Sequence, residues 1–254
     1  QIKLYPPDAK GECRCIVIYE VKERVKKEDN GNYLSIDLGL NNLMTCYSNV
    51  SGETFIVGRM YFSIERKYLK EIERVQSKWY VAQNKKGVLY PKSSKHIKRL
   101  YEKKNNCSSD YLHKITREVI NYCEKNSINT IIVGDITGLR EDFNKGEVIN
   151  QKMHSLPFKK LVDMLTYKAE DVGITVICQK EYYTSVCSPL TLSVSSEYAS
   201  KEKRVKRGIY IDGEKEWNAD SVGAYNILRL YGQVSKKEIH MKMIKTPYVL
   251  KVAV

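Results

Sequence analysis

The chain has 254 residues, enough to bury a full core as one large domain or one domain with an appendage, and its 43 Lys and Arg against 30 Asp and Glu leave a formal charge of +13. Such an excess favours a polyanionic partner through counterion release, nucleic acid before membrane, since the sequence has neither an apolar run of transmembrane length nor a basic helix with a strong apolar face. Seven cysteines at irregular spacing, with no signal peptide ahead of them, argue against a disulfide framework and for a reducing, cytosolic compartment.

In chain order, Arg14-Cys-Ile-Val-Ile-Tyr-Glu-Val21 reads as a strand closed by the polar turn Lys26-Lys-Glu-Asp-Asn-Gly31. Its first residue is Gln1 and it enters strand-like sequence at once, which points to a fragment with N-terminal material missing. Tyr33 to Gly39, Leu43 to Tyr47 and Thr54 to Val57 follow as three strands of a meander, separated by Gly39-Leu-Asn-Asn42 and Asn49-Val-Ser-Gly52. Residues 63–105 turn helical and basic, with 13 Lys and Arg against 4 acids and a break around Lys85-Lys-Gly-Val-Leu-Tyr-Pro91, and predict two helices joined by a loop. Leu112, Ile115, Val119, Tyr122 and Cys123 then mark one stripe of a helix over 109–126, ahead of a buried strand at Thr130 to Val133. A helix after Pro157 carries Phe158, Leu161, Val162, Leu165 and Ala169, stops at Gly173 and leads into a strand at Ile174 to Cys178. After a polar, poorly periodic stretch over 184–217, a last helix presents Ala224, Ile227, Leu228 and Tyr231 on one face. Three strands, helix, strand, helix, strand, helix is the order of a ribonuclease H-like α/β domain, a mixed sheet flanked by helices.

On that frame Asp37 lies in the first meander strand, opposite in alternation to Ile36 and Leu38. Asp135 ends the Thr130 strand and Asp220 opens the last helix. Convergent hard oxygens of this kind suit Mg²⁺ in phosphodiester hydrolysis. Each acid also has a plain structural explanation, as a turn former or as a partner of a helix N-terminus, and only their joint order points to a site.

Ser35-Ile-Asp-Leu-Gly-Leu40, Ile131-Ile-Val-Gly-Asp-Ile-Thr137 and Asn218-Ala-Asp-Ser-Val-Gly-Ala-Tyr-Asn-Ile227 resemble the three RuvC motifs of the TnpB (insertion-sequence OrfB) family, related to type V CRISPR effectors. Tyr111-Leu-His-Lys-Ile-Thr116 and Tyr182-Tyr-Thr-Ser185 resemble further family features, so the likeness spans 33–231. It implies RNA-guided, metal-dependent cleavage of DNA in the cytoplasm, at the nucleoid of a prokaryote. Guide RNA and target DNA are the partners it implies, and Mg²⁺ or Mn²⁺ the cofactor. The implied organisation is the end of a wedge barrel at 1–30 and a RuvC-like domain at 31–231 with a basic helical insertion at 63–105. A degenerate zinc-ribbon region at 184–217 and a basic tail at 232–254 complete it.

Two departures stand out. The glutamate usual in the second motif is replaced by Gly134. Glu181, at the end of the next strand, is the expected substitute, and its longer side chain reaches back across a strand spacing of about 4.8 Å. The expected metal ligands are Asp37, Glu181 and Asp220, with Asp135 in support. In the ribbon region only Cys187 remains, with no Cys or His before His240, so no zinc is expected. Cys13 and Cys15 suit a packed strand face, and His96, His113, His154 and His240 have no ligand spacing.

For nucleic-acid phosphates the expected contacts are Lys67, Lys70, Arg74, Lys78, Lys95, Lys98 and Arg99 in the basic helices, and Lys203, Arg204 and Arg207 near the acids. Tyr68, Trp79 and Tyr80 are interleaved there and suit helix packing better than base stacking. A nuclease-deficient, RNA-guided DNA-binding protein is the alternative to an active nuclease, and a resolvase-like nuclease without RNA is a weaker one.

Overall fold

The computed structural model describes residues 1–8, 11–20, 24–39, 41–135, 156–205, 208–232 and 246–253. They divide into two compact units, residues 1–23 with 60–112 and residues 24–59 with 113–253. No helix among the described residues is long and apolar enough to cross a membrane.

The first unit opens with a ribbon in which β1 (Ile2–Leu4) and β2 (Cys15–Val17) pair antiparallel, Lys3 opposite Ile16. The strand predicted over 14–21 is shorter than its apolar run, and Cys13 and Cys15 are exposed rather than packed. A two-stranded ribbon on its own has no second layer against which a face is buried. Two helices follow, α1 (Tyr61–Asn84) and α2 (Lys95–Lys125), separated at Gly87, whose φ of 84° is one that residues with a Cβ rarely adopt. Ser94 caps α2 by accepting the Ile97 N–H at 3.2 Å.

The two helices predicted on either side of residue 107 are one helix of 31 residues. No Gly or Pro interrupts the run, and its polar residues are used sideways against α1 instead of breaking the ladder. Glu65 takes an ion pair from Lys104 at 2.9 Å and a hydrogen bond from the Ser108 hydroxyl, and Tyr68 Oη lies 3.1 Å from Cys107 Sγ. Trp79 Nε1 donates to the Lys92 carbonyl at 2.9 Å, so the interleaved aromatics serve the hairpin.

The second unit is built on a six-stranded mixed sheet. Its members in chain order are β3 (Tyr33–Leu38), β4 (Met44–Ser48), β5 (Thr54–Val57), β6 (Thr130–Asp135) and β7 (Thr175–Lys180), with β8 (Ile209–Asp212) and β9 (Lys215–Asn218) forming a separate hairpin and β10 (Tyr248–Val249) returning to the sheet. The spatial order is β10-β5-β4-β3-β6-β7, antiparallel through β5, β4 and β3 and parallel from β3 to β6 to β7. Strand β10 pairs parallel with β5, and the Tyr248 ring stacks on Phe55 at 5.5 Å. Two residues show no periodicity, so the sequence offered no sign of this strand.

Helix α3 (Phe158–Glu170) ends before Gly173 as predicted, with Gly173 at φ 75° and its carbonyl accepting from Lys27 N–H at 2.8 Å. Helix α4 (Ala219–Leu230) covers one face of the sheet. Pairing of Ser35 with Tyr47 and Ile132 puts these residues on the face that meets α4, where Ser35 Oγ donates to the Ala224 carbonyl at 2.6 Å and Tyr47 packs edge-on to Tyr225. Ile36, Cys46 and Phe55 fall on the other face, where Phe55 meets Tyr122 of α2 at 4.5 Å between ring centroids. Lys168 of α3 bonds to α2 at the His113 carbonyl. Ile36, Phe55, Ile132, Val133 and Ile227 are wholly buried, each stabilising the fold by roughly 1.5–3 kcal/mol.

The region 184–217 is held by its own network. Tyr210 and Trp217 of the hairpin are buried, and Tyr210 Oη donates to the Val186 carbonyl at 3.1 Å. Asn226 of α4, itself buried, donates to the carbonyls of Thr184 at 2.8 Å and Cys187 at 2.9 Å, while Arg229 donates to those of Ser188 and Thr191. Side chains of α4 thus hold together a segment whose sequence shows almost no regular pattern.

Candidate active site

The parallel ladders decide which acids can meet. Ile36 pairs with Val133 and Gly134 with Gln179, so alternation puts Asp37, Gly134 and Gln179 on the face covered by α4. Glu181 stands just past β7, two residues beyond the register partner of Gly134, and therefore has the same parity. Its carboxylate bends back over Gly134: a Cβ added there would lie 1.7 Å from Glu181 Oε1 and 2.8 Å from Ile227 Cδ1. Glycine at this position is what leaves room for the glutamate. Gly223 of α4 plays the same part for Asp37, since a Cβ there would lie 2.4 Å from Asp37 Oδ2.

Glu181 is only half satisfied. The Thr184 hydroxyl donates to Oε2 at 3.2 Å, while Oε1 is buried and has no hydrogen-bond partner among the described residues. Burial pushes the Glu181 carboxyl up to about 7 against the lowering bond from Thr184, and the charge of Asp135 adds to the rise. Asp37 is driven well above the usual carboxylate range by burial first and then by the negative charges of Glu181 and Asp220, with Arg204 opposing.

Asp220 reaches the site by a different route. Asn218 caps α4, its Oδ1 accepting the N–H groups of Asp220 at 3.1 Å and Ser221 at 3.0 Å, so the Asp220 carboxylate is not consumed as a cap. It accepts instead from Asn42 Nδ2 at 2.8 Å and faces Arg204 at 3.7 Å. The Asn42 Oδ1 is a second buried oxygen without a hydrogen-bond partner among the described residues.

Asp135 has the opposite parity. It shares a face with Cys178, whose thiol it pushes up after burial, although its charge is still felt at Glu181. Among the described residues, no three carboxylate, thiolate or imidazole side chains converge closely enough to form a ready-made metal cage. The donor chemistry nonetheless suits a hard cation: three carboxylates and an amide oxygen, two of whose atoms are buried and unsatisfied, with mutual repulsion at Asp37.

Among the expected phosphate contacts, Lys67, Lys70, Arg74, Lys78, Lys95, Lys98 and Arg99 are all exposed in the first unit, and Arg74 is paired with Glu71 at 2.7 Å. Lys203 pairs with Asp212 at 2.7 Å, and with a bond from Ser188 it holds the Asp212 carboxyl below its ordinary value. Arg204 stands at the acids. Arg207, His154 and His240 lie outside the described residues, as do Leu40, Ile136 and Thr137 of the motifs.

Sequence reading gave no role to Asn42, Thr184, Gly223 or Asn226. In the sequence Asn42 stands only in a turn, and the fold aims that turn at Asp220. Asn226 holds the Thr184 carbonyl while the Thr184 hydroxyl holds Glu181, a relay from α4 to the end of β7. Gly223 and Asn226 stand inside the quoted Asn218–Ile227 motif, and that was the available signal.

Known proteins resemble the chain in sequence and in fold. Residues 16–140 match the family model described as "Probable transposase" (OrfB_IS605), and residues 158–227 match "Cas12f1-like, TNB domain". The TnpB-like proteins L79 and L770 of Acanthamoeba polyphaga mimivirus are each 22% identical over 209 residues, covering 77% of this chain and 40% of their own length. Among solved structures, the chain is similar to that of a Cas12f1-sgRNA-target DNA complex, with a TM-score of 0.58 and 17% identity over 85% of this chain and 52% of that one. A CRISPR-Cas12f ternary complex gives a TM-score of 0.52 and 13% identity over 89% and 44%. The fold is therefore that of a Cas12f1-like mixed α/β protein. Together these matches support the chain as a TnpB-type relative of the type V effectors.

Proposed function

We propose that this chain carries the RuvC-like, ribonuclease H-like nuclease module of a transposon-associated, RNA-guided DNA endonuclease. Asp37, Glu181 and Asp220 would hold Mg²⁺ or Mn²⁺, with Asn42 as an oxygen neighbour and Asp135 in support. The observation that carries the reading is the exchange at the second motif: Glu181 Oε1 fills the space beside Gly134, buried and without a partner. A carboxylate oxygen left in that state costs stability on the order of 1–3 kcal/mol, which a structural residue has no reason to retain. Bound there, the metal would supply the charge that activates water and stabilises the leaving oxygen of a phosphodiester.

The residues themselves would do the rest. Asn218 and Asn42 orient Asp220, Thr184 orients Glu181, and Gly223 lets α4 approach Asp37. Arg204 is placed to neutralise a phosphate near the acids. Guide RNA and target DNA are the proposed partners, on the likeness to Cas12f1 bound to sgRNA and target DNA and on the charge of +13.

A second reading is binding without cutting, and it draws on the carboxylates not forming a ready three-ligand cage. Mg²⁺-dependent cleavage by the RNA-loaded full-length protein separates the two. Asp37→Asn, Glu181→Gln and Asp220→Asn should each remove cutting, and Asp135→Asn should retain part of it. No cutting by the wild-type complex, with guided DNA binding intact, would establish the second reading.

A further inference from the structure

The layer of α2 and α3 carries a second concave site. His113, Lys114, Arg117 and Glu118 of α2, Lys168 of α3, and Val252 with Ala253 line a cavity of about 460 Å³. It belongs to the face of the sheet opposite α4 and takes no residue from the carboxylate site.

Lys168 is the unusual member. It is 5% exposed, and its Nζ donates to the His113 carbonyl at 2.6 Å and the Thr116 hydroxyl at 2.7 Å. An ammonium group has three N–H donors, and the third has no acceptor among the described residues. Among the described residues no carboxylate pairs with it, although Glu118 lines the same cavity, and the charge felt at Lys168 is the like charge of Arg117. A buried cation facing another cation is costly unless an anion completes the set.

We infer that this cavity is a phosphate-binding site. Arg117 and His113, one helical turn apart on α2, would present a guanidinium fork and an imidazole, and Lys114 and Lys168 add two point charges. The phosphate has two possible sources, a phosphodiester of a nucleic-acid backbone or a free phosphate ion. The site goes beyond the nuclease reading, since it needs neither metal nor the acids.

The test is binding of labelled short single-stranded DNA and RNA to the whole chain, by anisotropy across a salt series in EDTA so that cutting plays no part. Arg117→Ala and Lys114→Ala should each weaken binding roughly five- to twentyfold whatever the sequence, and lower the slope of log affinity against log salt by about one. Lys125→Ala, an exposed lysine at the far end of α2, should leave the slope unchanged. In parallel, inorganic phosphate is compared with chloride at equal ionic strength for its effect on the unfolding midpoint. A rise that Arg117→Ala abolishes marks a site for the free ion, and loss of oligonucleotide affinity without such a rise marks a site for phosphodiester only. Lys168→Met extends the series where it folds. Wild-type affinity and slope in both Arg117→Ala and Lys114→Ala, with no phosphate-specific stabilisation, would overturn the proposal and leave Lys168 as a clamp between helices.

Discussion

The carboxylate site and the ribbon region at 184–217 are both built by α4, and they treat buried polar atoms in opposite ways. In the ribbon, Asn226 and Arg229 spend their donors on the carbonyls of Thr184, Cys187, Ser188 and Thr191, and Tyr210 spends its hydroxyl on Val186. At the acids, Glu181 Oε1 and Asn42 Oδ1 are buried and unpaired, and Asp37 is held against like charge. The first pattern is what stability alone produces, and the second is the pattern that clusters at functional sites.

The sharpest way to break that contrast is to exchange Gly134 and Glu181. Gly134→Ala would force its Cβ onto Glu181 Oε1, and cutting by the RNA-loaded complex should fall by about a hundredfold or more. Gly134→Glu alone should be equally damaging. Gly134→Glu combined with Glu181→Gly returns the carboxylate to the usual motif position and should recover much of the activity. If the double variant cuts no better than Gly134→Glu alone, Glu181 is not the relocated ligand.

Asn226→Ala tests the satisfied region. It strands the Thr184 and Cys187 carbonyls and an Arg229 partner, so unfolding in urea should show a loss of about 2–4 kcal/mol. Cutting should fall too, because Thr184 orients Glu181. A loss below about 0.5 kcal/mol would mean that the ribbon is held chiefly by Tyr210 and Trp217.

A smaller effect separates the regions by ligand. Mg²⁺ should raise the unfolding midpoint by a few degrees, roughly 1–2 kcal/mol, and the rise should vanish in Asp37→Asn while persisting in Lys203→Ala. Equal stabilisation of both variants would mean that the ion acts elsewhere on the chain.

The elements were legible where side-chain period and breakers coincide. Asp37 between Ile36 and Leu38, the stripe from Leu112 to Cys123 and the stop at Gly173 all follow from local pattern, and their succession pointed to a mixed α/β fold. The long α2 was misread because polar residues around Cys107 resemble a break in sequence, whereas in the fold they bond sideways to Tyr68 and Glu65. Glu181 was reachable from the sequence because Gly134 is conspicuous by its missing carboxylate. Asn42 and Thr184 were not, since their roles depend on bonds to Asp220, 178 residues away, and to a glutamate displaced from its register partner. Strand β10 is too short to have a pattern at all.

A separate effect concerns Lys168, which belongs to neither region and has no part in the acids. Burial first, and then the charge of Arg117, lower its pKa from the ordinary 10.5 to about 8. His113, Lys114 and Glu118, which line the same cavity, and Tyr167, with its hydroxyl 3.3 Å from His113 Nδ1, are the other titratable groups around it. Between pH 8 and 10.5 the unfolded chain therefore holds a proton on this lysine that the folded chain has released. Stability from this group rises with pH across that window and is lost as pH falls through 8. Tyrosines and other lysines titrate nearby, so the measurement is the difference between wild type and Lys168→Met in urea unfolding at successive pH values. Wild type should gain on the variant as pH rises from 8 to 10. Millimolar inorganic phosphate should flatten that gain, because an anion in the cavity favours the charged amine and raises its folded pKa towards the unfolded one. A pH difference that phosphate leaves unaltered would separate the buried charge from any bound anion.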